Sequence, residues 1–177
     1  MASENYFELF GLSPQYAINS AALEQTWRAL AARVHPDRYA TASPAERRVA
    51  MQWASSVNEG YRILKSPLNR ARYLCEQAGC DLQAESNTRM EGAFLMRQME
   101  WREQLDEARE LGSDSIFETL LQEIRQAQDE MHQAITALID QRHDYEHASQ
   151  KVREWMFIEK LAQEVQSSRN DLTDRQH

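Results

Sequence analysis

The sequence predicts an all-α protein of two helical modules, a helical hairpin followed by an antiparallel three-helix bundle, and three observations carry that expectation. The 177 residues include only five glycines and four prolines, while Ala, Leu, Glu, Gln and Arg, all good helix formers, dominate. Apolar residues recur at helical spacing along most of the chain. The charge is also unevenly divided. Residues 1–78 hold nine basic and seven acidic side chains, and the remainder holds eleven and twenty-one, which points to two modules of opposite sign. The boundaries expected are 1–79 for the first module, 80–90 for a linker, 91–168 for the second, and 169–177 for a tail.

A short first helix, Tyr6 to Phe10, stops at Gly11, a residue type that tolerates the left-handed conformation past a helix end, and Pro14 keeps the next segment a loop. From a Ser20 cap, Leu23, Trp27, Leu30 and Val34 form one stripe, and Pro36 must terminate that helix. The third helix opens at Ser43-Pro44-Ala45-Glu46, where Ser cap, first-turn Pro and third-position Glu make a capping box. It runs through Trp53 and Val57 to about Lys65. Ser66-Pro67 starts a fourth, which ends at Gly79.

Asp81 to Asn87 is polar and unpatterned, hence the linker, and Thr88-Arg89-Met90-Glu91 repeats the capping-box signature. Three long periodic segments follow, Glu91 to Leu111, Ser115 to Ile139 and Asp144 to Gln166. They are separated by Gly112 and by the charged stretch Asp140 to His143, and such short connections imply an antiparallel bundle. Ser167 to His177 is polar and expected to fray.

Several function classes are disfavoured. No window approaches the ~18 apolar residues of a membrane span, and Met1 to Asn5 lacks the basic start and apolar run of a secretory signal, so a cytoplasmic address is expected. A net charge of −8 argues against nucleic acid, whose phosphates demand many Lys and Arg. Cys75 and Cys80 lack the second Cys/His pair a structural zinc site requires and are expected as reduced thiols. His143 and His147 have the i, i+4 spacing of a metal pair but no further ligand, so neither metal nor cofactor is expected.

The chemistry concentrates at His35-Pro36-Asp37, between the two amphipathic helices. Pro36 restricts itself and biases His35 out of helical geometry, so imidazole and carboxylate are displayed at a fixed turn. A hydrolase built on His35 and Asp37 would need a nucleophile and an oxyanion-binding turn, and neither is visible; no enzyme is expected. Arg28 and Arg33 lie outside the apolar stripe and Arg38 follows the loop, so all three can meet an acidic partner. Arg28 and Arg33 diverge by about 140° around the helix, which makes Arg28 and Arg38 the stronger pair.

The second module holds a surplus of apolar residues. Phe94, Trp101, Leu105 and Ala108 fall within about 60° on a helical wheel and suffice for a core stripe. Leu95, Met96 and Met99 lie about 100–200° away, alongside Glu100, Glu103 and Glu107. In the last helix Ala148, Val152, Trp155, Ile158 and Ala162 form the core stripe, and Phe157 points about 180° from Ala148. An apolar patch with an acidic edge has the character of a protein-binding site.

A His-Pro-Asp tripeptide at the end of an amphipathic helix, about ten residues before a strongly capped one and downstream of Tyr6-Phe7, resembles the J domain. The opening Asn5-Tyr6-Phe7-Glu8-Leu9-Phe10-Gly11-Leu12, with Ser66-Pro67-Leu68, Arg70-Ala71, Phe94-Leu95-Met96 and Glu103-Gln104-Leu105-Asp106-Glu107, is similar to HscB, the iron-sulfur-cluster J-type co-chaperone family. The likeness runs from about Tyr6 to Leu161. Without the N-terminal cysteine pair of some eukaryotic relatives, the resemblance implies a bacterial-type member.

The resemblance implies that the second helix and the loop dock where the nucleotide and peptide domains of an HscA-type heat-shock chaperone meet, accelerating its ATP hydrolysis. The second module would bind an IscU-type scaffold on which clusters are assembled. By position, the family's scaffold-binding surface falls on Leu95, Met96, Met99, Glu100, Glu103, Glu107 and Phe157, nearly the set left over by the wheel. The alternative is a J-domain co-chaperone that presents misfolded clients generally.

Overall fold

A computed structural model describes residues 5–82 and 90–175. Every regular element among them is helical, and the chain divides between Leu74 and Cys75 into two compact units.

In the first unit α1 spans Tyr6–Leu9, α2 Ser20–Val34, a 3₁₀ turn Pro36–Tyr39, and α3 Pro44–Lys65. Helix α4, Pro67–Gln77, runs past the division. Asn5 caps α1 by accepting the Phe7 N–H, and Gly11 takes φ +63° just beyond. The cap of α2 is Asn19, one residue earlier than expected: Asn19 is extended and its side chain accepts the Ala22 N–H at 3.0 Å, so Ser20 already belongs to the helix. The capping box of α3 is complete. Ser43 Oγ accepts from the Glu46 N–H at 3.3 Å, and Glu46 Oε2 accepts from the Ser43 N–H at 2.9 Å.

Phe7, Phe10, Tyr16, Leu23, Val57 and Leu64 fill this unit's core. One charge lies inside it: Arg70, 4% exposed, donates from Nε to the Tyr16 carbonyl at 2.7 Å and from Nη1 to the Leu64 carbonyl, with its guanidinium over the Tyr16 ring. Planar donors in a fixed fork satisfy two backbone acceptors that a lysine could not reach together. Helix α1 lies against α3 at Gly60, where a Cβ would stand 2.8 Å from Tyr6 Cδ1 and 3.0 Å from Phe10 Cε2.

The second unit is a three-helix bundle of α5, Gly92–Leu111, α6, Asp114–Thr136, and α7, Tyr145–Arg175, with a π-helical segment, Ala137–Gln141, extending α6. Ion pairs establish the directions. Arg97 near the start of α5 meets Glu130 near the end of α6 at 2.9 Å, and Asp114 at the start of α6 meets Arg169 near the end of α7 at 2.6 Å. Each neighbour in sequence is therefore antiparallel. The core stripe of α5 is Phe94, Trp101, Leu105 and Ala108, as the wheel requires; α7 buries Ala148, Val152, Trp155 and Ile158, and adds Leu161 and Val165 where Ala162 was expected.

The capping box at Thr88 lies largely outside the described residues, as does most of the linker; Glu91, which would complete that box, caps α5 with no side-chain bond and pairs instead with Lys151 Nζ at 3.4 Å. The expected fraying beyond Ser167 is corrected, since α7 continues to Arg175. Polar residues keep it helical by tying it to the bundle. Arg169 forms a two-pronged pair with Asp114, Arg109 donates to Ser168 Oγ at 2.9 Å and to Glu164 Oε1 at 3.0 Å, and Leu172 Cδ1 would meet a Cβ at Gly112 at 3.3 Å.

Gly60→Ala sets two effects against each other. Alanine favours the helix by about 0.5–1 kcal/mol, while overpacking against a well-placed ring costs about 1–3 kcal/mol; a net loss of about 1 kcal/mol in urea denaturation is expected. The bundle should also be acid-sensitive. Burial pushes the Glu164 carboxyl up, but hydrogen bonds from Arg102 and Arg109 outweigh it and hold it below its ordinary 4.5. The unfolded chain therefore takes up this proton first, so the contribution of Glu164 is complete above about pH 4.5 and drains as pH falls through the lower folded value. Thermal midpoints measured from pH 7 to pH 3 should decline less steeply in Glu164→Gln.

Candidate functional sites

The loop is shaped by what Pro36 removes. An uninterrupted helix would pair the residue-36 N–H with the Ala32 carbonyl, but proline has none. Arg38 supplies the donor, its Nη1 lying 3.4 Å from that carbonyl, and the Tyr39 hydroxyl donates to the next, Arg33 O, also at 3.4 Å. The end of α2 is thus closed by the turn that follows it. His35 is extended at φ −60°, ψ 132°, and its Nδ1 accepts the Asp37 N–H at 3.3 Å. The same nitrogen stands 3.5 Å from Asp37 Oδ2, so the turn holds the ring through Nδ1 from both the backbone and the side chain of Asp37. The side chains of His35 and Asp37 are 57% and 91% exposed, the display a recognition loop requires.

The three arginines are not equivalent. Arg28 is held by Glu24 at 2.5 Å, and Arg38 is turned back onto the end of α2. Arg33, ranked behind them on the wheel, makes no ion pair among the described residues and lines an apolar groove with Leu30 and Val34.

The second site lies on α5. Leu95, Met96 and Met99 are 47%, 62% and 61% exposed, and Glu100, Glu103 and Glu107 are exposed beside them with no ion pair among the described residues. Burying a residue of this kind is worth about 1.5–3 kcal/mol, so three of them in water leave that free energy for a partner. From α7 Phe157 is brought beside Met99 and Glu103 of this set. It is half-buried, stands edge-on to Phe94 at 6.0 Å, and has the Arg102 guanidinium 5.9 Å from its ring centre. Together with Gln98, Met99, Arg102 and Glu103 it forms a shallow depression of about 360 Å³. Gln98 and Arg102 were not singled out in the sequence. Their i, i+4 spacing on the Phe157 side of α5 was the available signal, and it becomes informative only once α7 is known to lie alongside. Arg102 is tethered to Glu164 at 2.6 Å, which fixes its guanidinium beside the Phe157 ring.

Other candidates fit neither site. His147 is engaged by Asp144 at 2.8 Å, a bond that raises the imidazole's proton affinity, and His143 adopts φ +54°. Cys75 and Cys80 are free thiols, and burial pushes Cys75 up to about 12, which suppresses its thiolate. Among the described residues no helix is long and apolar enough to cross a membrane.

Known proteins share this construction. The family model described as the HSCB C-terminal oligomerisation domain matches residues 90–166. The co-chaperone protein HscB homolog of Bordetella petrii is 60% identical over 169 residues, covering 96% of this chain and 98% of its own. That of Bordetella avium is 62% identical over 165 residues, covering 93% and 97%. Among solved structures, chaperone HscB from Vibrio cholerae matches with a TM-score of 0.82 at 33% identity over 95% of this chain and 99% of that one. Human co-chaperone HscB matches at 0.87 and 22% identity, covering 94% and 82%, a likeness of fold alone. A helical hairpin displaying His-Pro-Asp, joined to a three-helix bundle, is the build of a J-type co-chaperone. The identities over nearly the full chain are closer than that class requires, and the chain belongs to the HscB family.

If Leu95, Met96 and Met99 serve recognition rather than the core, replacing all three by Ala should alter unfolding free energy by less than about 1 kcal/mol. Phe94→Ala, one position away on the same helix, should cost about 3–5 kcal/mol. Guanidinium denaturation of both variants checks this, and a large loss in the triple variant would place those side chains in the core.

Proposed function

We propose that this co-chaperone brings an HscA-type heat-shock chaperone and an IscU-type cluster scaffold together. Residues 1–79 act as the module that triggers ATP hydrolysis, and residues 91–168 as the module that holds the scaffold. The observation that supports this most directly is the α5 surface. An apolar patch of Leu95, Met96 and Met99, bordered by Glu100, Glu103 and Glu107 and completed by Phe157, lies open on a bundle whose core is already full. In the first module His35, Pro36 and Asp37, flanked by Arg28, Arg33 and Arg38, engage the ATPase, with the imidazole and the carboxylate as the recognised groups.

The mechanism is linkage on one chain. A co-chaperone that holds scaffold and trigger together raises the effective concentration of the scaffold at the chaperone. The protein performs no bond-making step of its own and works in the cytoplasm as an activator, with no cofactor; hydrolysis by the chaperone locks it onto the delivered scaffold.

The test is steady-state ATP hydrolysis by an HscA-type chaperone, with this protein and with or without an IscU-type scaffold. Scaffold and co-chaperone together should stimulate more than either alone. His35→Gln should abolish stimulation by the co-chaperone, and Leu95/Met99/Phe157→Ala should lose only the scaffold-dependent part, with scaffold affinity reduced about 30-fold or more. If the scaffold adds nothing while unfolded clients do, the protein is a general J-type co-chaperone instead. If His35→Gln is fully active, the loop is not the trigger.

A further inference from the structure

The chain holds seven methionines, and those of the second unit differ sharply in their access to water. Met131 lies in the core on α6, 7% exposed. Met90 is half-buried, and its sulfur accepts a hydrogen bond from Gln98 Nε2 at 3.2 Å. Met156 on α7 is 37% exposed. Met96 and Met99 are the most open of the set, stand three residues apart on one face of α5, and with Leu95 make up its apolar patch. The thioether on which packing depends is thus covered, and two of the three side chains offered to a partner are thioethers in water.

An accessible thioether is oxidised by a peroxide. The sulfur lone pair attacks the O–O bond, one oxygen stays on sulfur as the sulfoxide, and the other takes the proton and leaves as water. The step needs no ionised group, so the burial that suppresses the Cys75 thiolate has no counterpart here. It is also reversible: a reductase passes two electrons from a dithiol to the sulfoxide, giving back the thioether, a disulfide and water.

On this face the added oxygen has nowhere to turn. A sulfoxide is a hydrogen-bond acceptor, and the positions bordering Met96 and Met99 three and four residues away are Gly92, Ala93, Leu95, Glu100, Arg102 and Glu103. Only Arg102 among them has a side-chain donor, and Glu164 holds it at 2.6 Å. Glu100 and Glu103 add acceptors. Each new oxygen therefore keeps its water, which an apolar contact would have to strip away. Neither side chain belongs to the core, so the fold is left as it was.

We propose that Met96 and Met99 form a peroxide-sensitive switch, in which reversible oxidation of both thioethers to sulfoxides releases the scaffold protein from the α5 face. The inference rests on the reading of that face as the scaffold-binding surface. It adds a chemical control to the surface: oxidation converts the apolar part of the contact and spares the carboxylates beside it.

The test measures the affinity for an IscU-type scaffold by calorimetry, before and after hydrogen peroxide treatment of the full-length protein, for wild type and for Met96→Leu/Met99→Leu. Peptide mass spectrometry locates the added oxygens, and circular dichroism follows the fold. Each protein is compared only with itself, so any effect of leucine on affinity cancels. The wild-type Kd should rise about 30-fold on oxidation. The leucine variant keeps Met51, Met156, Cys75 and Cys80, and its Kd should change less than about twofold. A methionine sulfoxide reductase with a dithiol should restore the wild-type value. An unchanged Kd in wild-type protein carrying both sulfoxides would refute the switch, as would an equal loss in the leucine variant or unfolding of the treated protein. So would Met96 and Met99 that resist peroxide while Met156 is converted. Binding that stays lost after the oxygens are removed would show damage in place of a switch. No scaffold binding by the untreated wild type would instead overturn the reading of the α5 face itself.

Discussion

The first unit depends on a missing hydrogen atom. Proline at position 36 has no N–H, so α2 cannot continue, and the residue before it is driven into extended geometry. From those two facts follow the end of α2 at Val34, the outward presentation of His35 and Asp37, and the reversal that lays α3 against α2. The carbonyl left without its partner is met by Arg38, and its neighbour by Tyr39. The residues after the loop are therefore structural before they are anything else. A side chain that completes the helix end also holds the His-Pro-Asp turn in one conformation, which would lower the ordering cost of any contact made there.

The second unit is governed by a surplus. A helix in a three-helix bundle needs one apolar stripe, and Phe94, Trp101, Leu105 and Ala108 supply it for α5. Everything apolar beyond that stripe must be covered by something else or stay in water. Leu95, Met96 and Met99 stay in water, and the carboxylates beside them carry no internal counter-charges. Elsewhere the unit is careful with charge: Arg97, Arg102, Arg109 and Arg169 each have an acidic partner on another helix. Leu111 and Met156 are also exposed in this unit, but the α5 face gathers three such side chains beside three unpaired carboxylates, and that concentration makes it the candidate binding surface.

Much of this was legible from residue order because the relevant signals are local. The α3 capping box, the Gly112 stop and the four-residue core stripe of α5 each involve positions within a few turns, and each appears as its spacing requires. What was missed depends on partners distant in sequence. Ser167 to Arg175 looks like a frayed tail until Asp114, 55 positions from Arg169, is seen to hold it. Arg102 is an ordinary surface residue until Phe157 and Glu164 are brought beside it. The shift from Ser20 to Asn19 has another origin: adjacent residues with nearly equal capping power leave the start of a helix ambiguous by one position.

The groove shows the same limit in an apolar setting. Periodicity assigns Leu30 and Val34 to the buried face of α2, and that assignment is right about direction. Whether a residue facing inward is covered depends on the volume opposite it, and alanines at 45 and 50 leave that volume empty. A pattern of apolar and polar letters records which way side chains point, but the depth of the space between two helices is a sum over both. In this hairpin the sum falls short toward the loop end, where Tyr39 lines the space with Leu30 and Val34.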